Sequence, residues 1–126
     1  MFQKFLFNLV FLLLITLRLC AQENYNLEVR GHLTFPGMQL ANISGYADSL
    51  GNEYALVGTS KGLSIVDVSN PEFPELRFTV NGVQNNWREI KTWEGFAYVV
   101  SEGIGSGLTI VDLRHLPDTV YSKVYR

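Results

Sequence analysis

The chain has 126 residues, 47% hydrophobic and 17% charged, with a formal charge of −2 and one cysteine. Its basic residues are scattered rather than gathered into a stripe, which argues against nucleic-acid binding. A single cysteine supplies no disulfide framework, so any fold has to rest on its apolar core.

Met1–Ala21 begins with Lys4, runs through an apolar stretch from Phe5 to Leu17 and closes on Leu19-Cys20-Ala21 before Gln22. A basic start, a short apolar run and a small residue at the cut form the secretory pattern. The run is short for a bilayer crossing, which takes about 20 apolar residues, so an uncleaved anchor is the poorer reading. Cys20 raises lipid attachment, but that processing wants a small residue before the cysteine and Leu19 is bulky. The expectation is a signal peptide over 1–21 and an exported mature chain of 22–126 without a membrane span. Without Lys4 and Arg18, that mature part has eight basic against 12 acidic residues, a formal charge of about −4. It shows no polybasic run or amphipathic helix suited to a membrane surface.

Gln22–Asn26 is a polar lead-in. Leu27–Phe35 then alternates Leu27, Val29, Gly31 and Leu33 with Glu28, Arg30, His32 and Thr34, the period of a half-buried strand. Pro36-Gly37 ends it. Ala41–Ala47 is a second short strand, followed by the turn chemistry of Asp48-Ser49-Leu50-Gly51-Asn52. Tyr54–Gly58 and Leu63–Val68 form a hairpin across Thr59–Gly62. Leu63–Val68 carries apolar groups on both faces, as a strand covered on two sides does. Ser69-Asn70-Pro71 stops it, because proline cannot donate to a ladder. Leu76–Val80 is the next strand, Asn81-Gly82 a turn signal, and Arg88–Trp93 a further strand. A second hairpin lies within Phe96–Pro117, and Val120–Tyr125 alternates again. No segment outside the leader holds a helical period over ten residues, so the mature part is expected to be all-β.

The hairpin is written twice. Tyr54-Ala55-Leu56-Val57 answers Phe96-Ala97-Tyr98-Val99 at an offset of 42, and Gly62–Asp67 answers Gly107–Asp112 at 45. Ile43 aligns with Ile90, and Tyr46 with Trp93, at 47. Four strands at a period of about 45 residues is the signature of a β-propeller blade. The expected fold is therefore a partial β-propeller: about two four-stranded antiparallel blades, over 41–80 and 87–126, plus an N-terminal strand. A ring takes about 4–8 blades. Two alone would leave apolar faces and edges open, so further blades or self-association are expected to close the core.

The segments LSIVDVSNP and LTIVDLRHLP resemble the LVIVD repeat of bacterial surface propellers. The wider run HLTFPG, ISGYAD, EYALVGTSKGLSIVDVSNP, WREIKTW and AYVVSEG is similar to the choice-of-anchor B family, over about Val29 to Asp118. That resemblance implies secretion and tethering at the bacterial cell surface. It implies no particular reaction.

Asp67 and Asp112 end the third strand of each unit. Recurrence at one place favours turn capping, the carboxylate accepting backbone N–H bonds, over a repeated cation ligand. Asp48, Asn52 and Glu53 offer hard oxygens in a short loop and are weak calcium candidates; a plain turn explains the same residues. Trp87, Arg88 and Glu89 precede an innermost strand, where ligand contacts of propellers often lie. Trp87 suits stacking on a sugar or peptide and Arg88 an anion. The structural alternative is a Trp plate between blades with an Arg–Glu pair at the rim. The EGIGSG loop after Ser101, with Glu102, leads into a strand rather than a helix N-terminus, so it is no phosphate cradle. His32 and His115 lack a spaced metal partner, and no nucleophile-elbow motif is present. No cofactor, metal or catalytic residue is assigned. The functional expectation is a non-enzymatic module that binds a protein or glycan at the cell surface. The rival is an extracellular propeller hydrolase whose catalytic groups lie in other blades.

Overall fold

The structure, a computed structural model, describes residues 26–126. The proposed signal peptide over 1–21, with Cys20, lies outside the described residues. Eight strands follow one another: β1 (Leu40–Ala47), β2 (Glu53–Thr59), β3 (Gly62–Asp67), β4 (Glu75–Asn81), β5 (Arg88–Trp93), β6 (Phe96–Ser101), β7 (Leu108–Asp112) and β8 (Tyr121–Tyr125). They form two antiparallel four-stranded sheets with strands in chain order, β1-β2-β3-β4 and β5-β6-β7-β8. The fold is all-β, two blades of propeller type. No described helix is long and apolar enough to cross a membrane.

The two sheets share a register. Ile43 faces Val57 and Ile90 faces Val99; Leu56 faces Ile65 and Tyr98 faces Ile110; Tyr54 faces Asp67 and Phe96 faces Asp112. These are the pairs aligned by the sequence repeat. Only the turns differ. β2 and β3 are joined across Ser60-Lys61, whereas β6 and β7 are joined by the longer loop through Gly105 and Gly107. Trp93 faces Phe96 across Glu94-Gly95, whose φ values of 48° and 80° give the twist that a two-residue hairpin loop needs.

Side chains alternate between faces, so each middle strand serves two layers. Tyr54, Leu56, Leu63 and Ile65 point from the first sheet to the second, and are at most 2% exposed. Ile90, Ala97, Val99 and Val111 meet them from the second sheet, completing one core. Burial of an aliphatic side chain of this size stabilises by about 1.5–3 kcal/mol. β5 packs against both β1 and β2. Thr92 Oγ1 donates to Gly45 O at 3.4 Å, and Asn42 Nδ2 donates to Glu89 Oε2 at 3.0 Å. The outer strands are polar and exposed, β8 along its whole length.

The far face of the second sheet is the counterpart of the first sheet's core face. It presents Trp93 (64% exposed), Val100, Tyr121 and Tyr125, with Phe96, Tyr98, Leu108 and Ile110 half-buried between them. No described residue packs over it as the second sheet packs over the first.

Two expectations need correction. Leu27–Phe35 is not a strand. It has the alternation but no neighbouring strand among the described residues to share a ladder with, and only Gly31, Leu33 and Phe35 become half-buried. It is held instead by Arg30–Glu72 at 3.2 Å and by contact of Gly31 with Pro71 and Pro74. Nor does Asn81-Gly82 make a turn. Gly82 N–H bonds Lys61 O at 2.8 Å and prolongs the β3–β4 ladder, after which the chain crosses to the other sheet.

Candidate functional site

The crossing after Gly82 carries the chain from β4 at the outside to β5 at the inside, and delivers three consecutive residues to different surroundings. Asn85 Oδ1 accepts the Trp87 N–H at 2.7 Å, a local turn that fixes the backbone. Trp87 itself is 69% exposed. It is therefore not a plate between the two sheets.

Arg88 is buried, with 7% of its surface exposed. Its Nε donates to Thr59 O at 3.0 Å and its Nη2 to Val83 O at 2.8 Å. Desolvation lowers its pKa from the ordinary guanidinium value. Glu89, the next residue, alternates back to solvent. Its Oε2 accepts from Asn42 and its Oε1 pairs with Lys91 Nζ at 2.8 Å. Arg88 and Glu89 do not pair with each other.

Trp87 and Glu89 border a groove of about 660 Å³ whose other wall is Gln39, Leu40, Ala41 and Asn42. An aromatic face beside an amide and a carboxylate is an arrangement that can stack a ring and bond its hydroxyl or amide edges. Sequence reasoning missed Gln39 and Asn42. The repeat carried the signal for Asn42, which stands 47 residues before Glu89 and so occupies the same place in its own unit.

The remaining candidates serve turns. Asp67 Oδ1 accepts Ser69 N–H and Asp112 Oδ1 accepts Arg114 N–H, both at 3.0 Å. Asp112 also receives Arg114 Nε at 2.9 Å and Nη2 at 2.6 Å. Those side-chain bonds are the main cause of its carboxyl being held down to about 2; the backbone bond and the Arg114 charge add to this against desolvation.

Asp48 Oδ1 accepts from Leu50 and Asn52 N–H, both at 2.9 Å, and Oδ2 from Asn52 Nδ2 at 2.7 Å. Desolvation, the largest single influence, raises the Asp48 carboxyl, but bonds from Asn52, Leu50 and Gly51 outweigh it and lower it overall. The carboxylate thus already has its donors within the turn. Glu53 is exposed, and its N–H bonds Ser69 Oγ at 2.9 Å. Among the described residues no three His, Cys, Asp or Glu side chains gather as a metal site.

The family model of the LVIVD repeat matches residues 44–82 and 86–113. No curated protein and no solved structure matches the chain. The matched segments fall one on each sheet and together cover more than half of the sequence. With the same strand register drawn twice and each copy matched by that repeat, the chain belongs to the LVIVD repeat family.

Proposed function

We propose that this chain is a non-enzymatic binding module of an exported β-propeller, displayed at a bacterial cell surface, that holds a glycan or peptide segment in the Trp87 groove. The observation that carries the reading is the 69% exposed Trp87 beside the Asn42–Glu89 pair. An exposed aromatic face beside fixed polar groups supplies both the stacking surface and the hydrogen bonds that a sugar or peptide needs. Export rests on the Met1–Ala21 pattern, and surface display on the resemblance to choice-of-anchor B proteins. The open far face of the second sheet calls for further blades, or for other copies, to cover it.

The test is capture by the full chain on glycan and peptide arrays. Trp87→Ala combined with Asn42→Ala is expected to weaken capture tenfold or more, with an unchanged far-ultraviolet spectrum. Undiminished capture by the double variant would remove the groove from the proposal. One observation favours a hydrolase instead: Glu89 and Glu102 line a second groove, of about 330 Å³, beside Trp87. Release of reducing sugar from a polysaccharide, abolished by Glu89→Gln, would establish a hydrolase seated on this chain's own carboxylates rather than on those of other blades.

A further inference from the structure

A third cavity, of about 260 Å³, is lined by residues of both sheets and by Arg88. Its lining includes Arg88, Arg126, Ser101, Asn81 and Thr109, and no acidic residue. Arg88 has no carboxylate of a described residue within 4.0 Å, although it is 7% exposed. Buried charges are ordinarily paired, since the cost of removing them from water is otherwise uncompensated. Backbone oxygens satisfy Nε and Nη2, while Nη1 makes no hydrogen bond to a described residue and is not a fully buried atom, so it is open to the cavity. Gly82, also in the lining, leaves space beside Nη1: a Cβ there would approach it to 3.0 Å.

Ser101 is the residue facing Arg88 across the β5–β6 ladder, on the same side of the sheet. Its Oγ is buried and has no hydrogen-bond partner. A buried hydroxyl without a partner calls for an explanation in water or an ion. Two unused donors on facing residues, in a cavity without an acidic side chain, present the chemistry of an anion receptor.

We propose that this inter-sheet cavity binds a small oxyanion, a phosphate or a carboxylate, that accepts from Arg88 Nη1 and Ser101 Oγ. The cavity shares Arg88 with the Trp87 groove, but neither Trp87 nor Glu89 lines it.

The experiment titrates the full chain with inorganic phosphate and, separately, acetate. Sodium chloride holds the ionic strength constant, and amide shifts of Gly82 and Ser101 are followed by NMR. Saturable shifts are expected with at least one of the two anions, phosphate alone marking a tetrahedral ligand and acetate a carboxylate. Ser101→Ala removes a donor without touching the guanidinium, and is expected to weaken binding about tenfold. Without anion the same variant is expected to melt no lower than the parent, because it deletes an unpartnered hydroxyl. Gly82→Ala is expected to weaken binding too, by crowding Nη1, and Trp87→Ala to leave it unchanged. Absence of saturation, an equal response to chloride, or unchanged affinity in Ser101→Ala would each overturn the assignment and leave the cavity to water.

Discussion

Replacing Asp112 by Asn tests whether the strand-ending aspartate of the second sheet acts through its charge or only through its turn. Asn retains an oxygen for the Arg114 N–H but not the ion pair, whose shortest contact is 2.6 Å. The Asp112 carboxyl is lowered from 3.8 to about 2. At about 1.36 kcal/mol per unit, that shift sets a ceiling of roughly 2 kcal/mol. Arg114 is 56% exposed, so solvent screening reduces the expected contribution to about 1 kcal/mol. Because the folded-state value lies below the unfolded one, the contribution is complete above the ordinary carboxylate range and fades as pH falls from about 4 towards 2. Urea unfolding of the full chain and of Asp112→Asn at pH 7, and again near pH 2, reads the difference directly. The gap is expected to be about 1 kcal/mol at neutrality, smaller in 1 M salt and largely lost near pH 2. A gap of equal size at both pH values would show that the carboxylate's charge contributes nothing and that turn geometry alone is at work.

Gly62→Ala is expected to cost at least ~2 kcal/mol in a thermal melt. Its φ is 151° and a Cβ would run into the Val80 carbonyl oxygen, whereas Gly51→Ala, at φ 87° in open space, is expected to cost about 1 kcal/mol. Chelator treatment is expected to leave the melting temperature of the full chain unchanged, because the Asp48 carboxylate is already bonded to Leu50 and Asn52. A drop on chelation, restored by calcium, would return the 48–53 loop to the list of metal sites.

Much of the fold was readable because the sequence states each constraint twice. Tyr54–Val57 and Phe96–Val99 carry the same alternation, and the structure gives both the same partners across the ladder. Where one copy leaves a register open, the other fixes it. Leu27–Phe35 shows the limit of that logic. Alternation reports that a segment is suited to a sheet, but a strand exists only where a neighbour offers its backbone groups, and periodicity says nothing of the neighbour. Asn81-Gly82 failed for a related reason: its composition permits a turn, while the Lys61 carbonyl opposite draws it into the ladder.

The site was legible in position and not in role. Trp87 stands just ahead of β5, and Arg88 and Glu89 are its first two residues, so alternation sends Arg88 inward and its neighbours outward. Whether an inward arginine meets a ligand or a carbonyl depends on where Thr59 and Val83 end up, 29 and five residues away. Asn42 escaped notice because a lone amide in a strand has no motif, and only the repeat ties it to Glu89.

The two sheets meet through unlike surfaces, a head of Tyr54, Leu56, Leu63 and Ile65 against a tail of Ile90, Val99 and Val111. Such a contact is heterologous, so each added unit hides one head and offers another. A two-fold pairing of heads would not reproduce it. Whatever settles on Trp93 and Tyr98 in the same way has to present a tail.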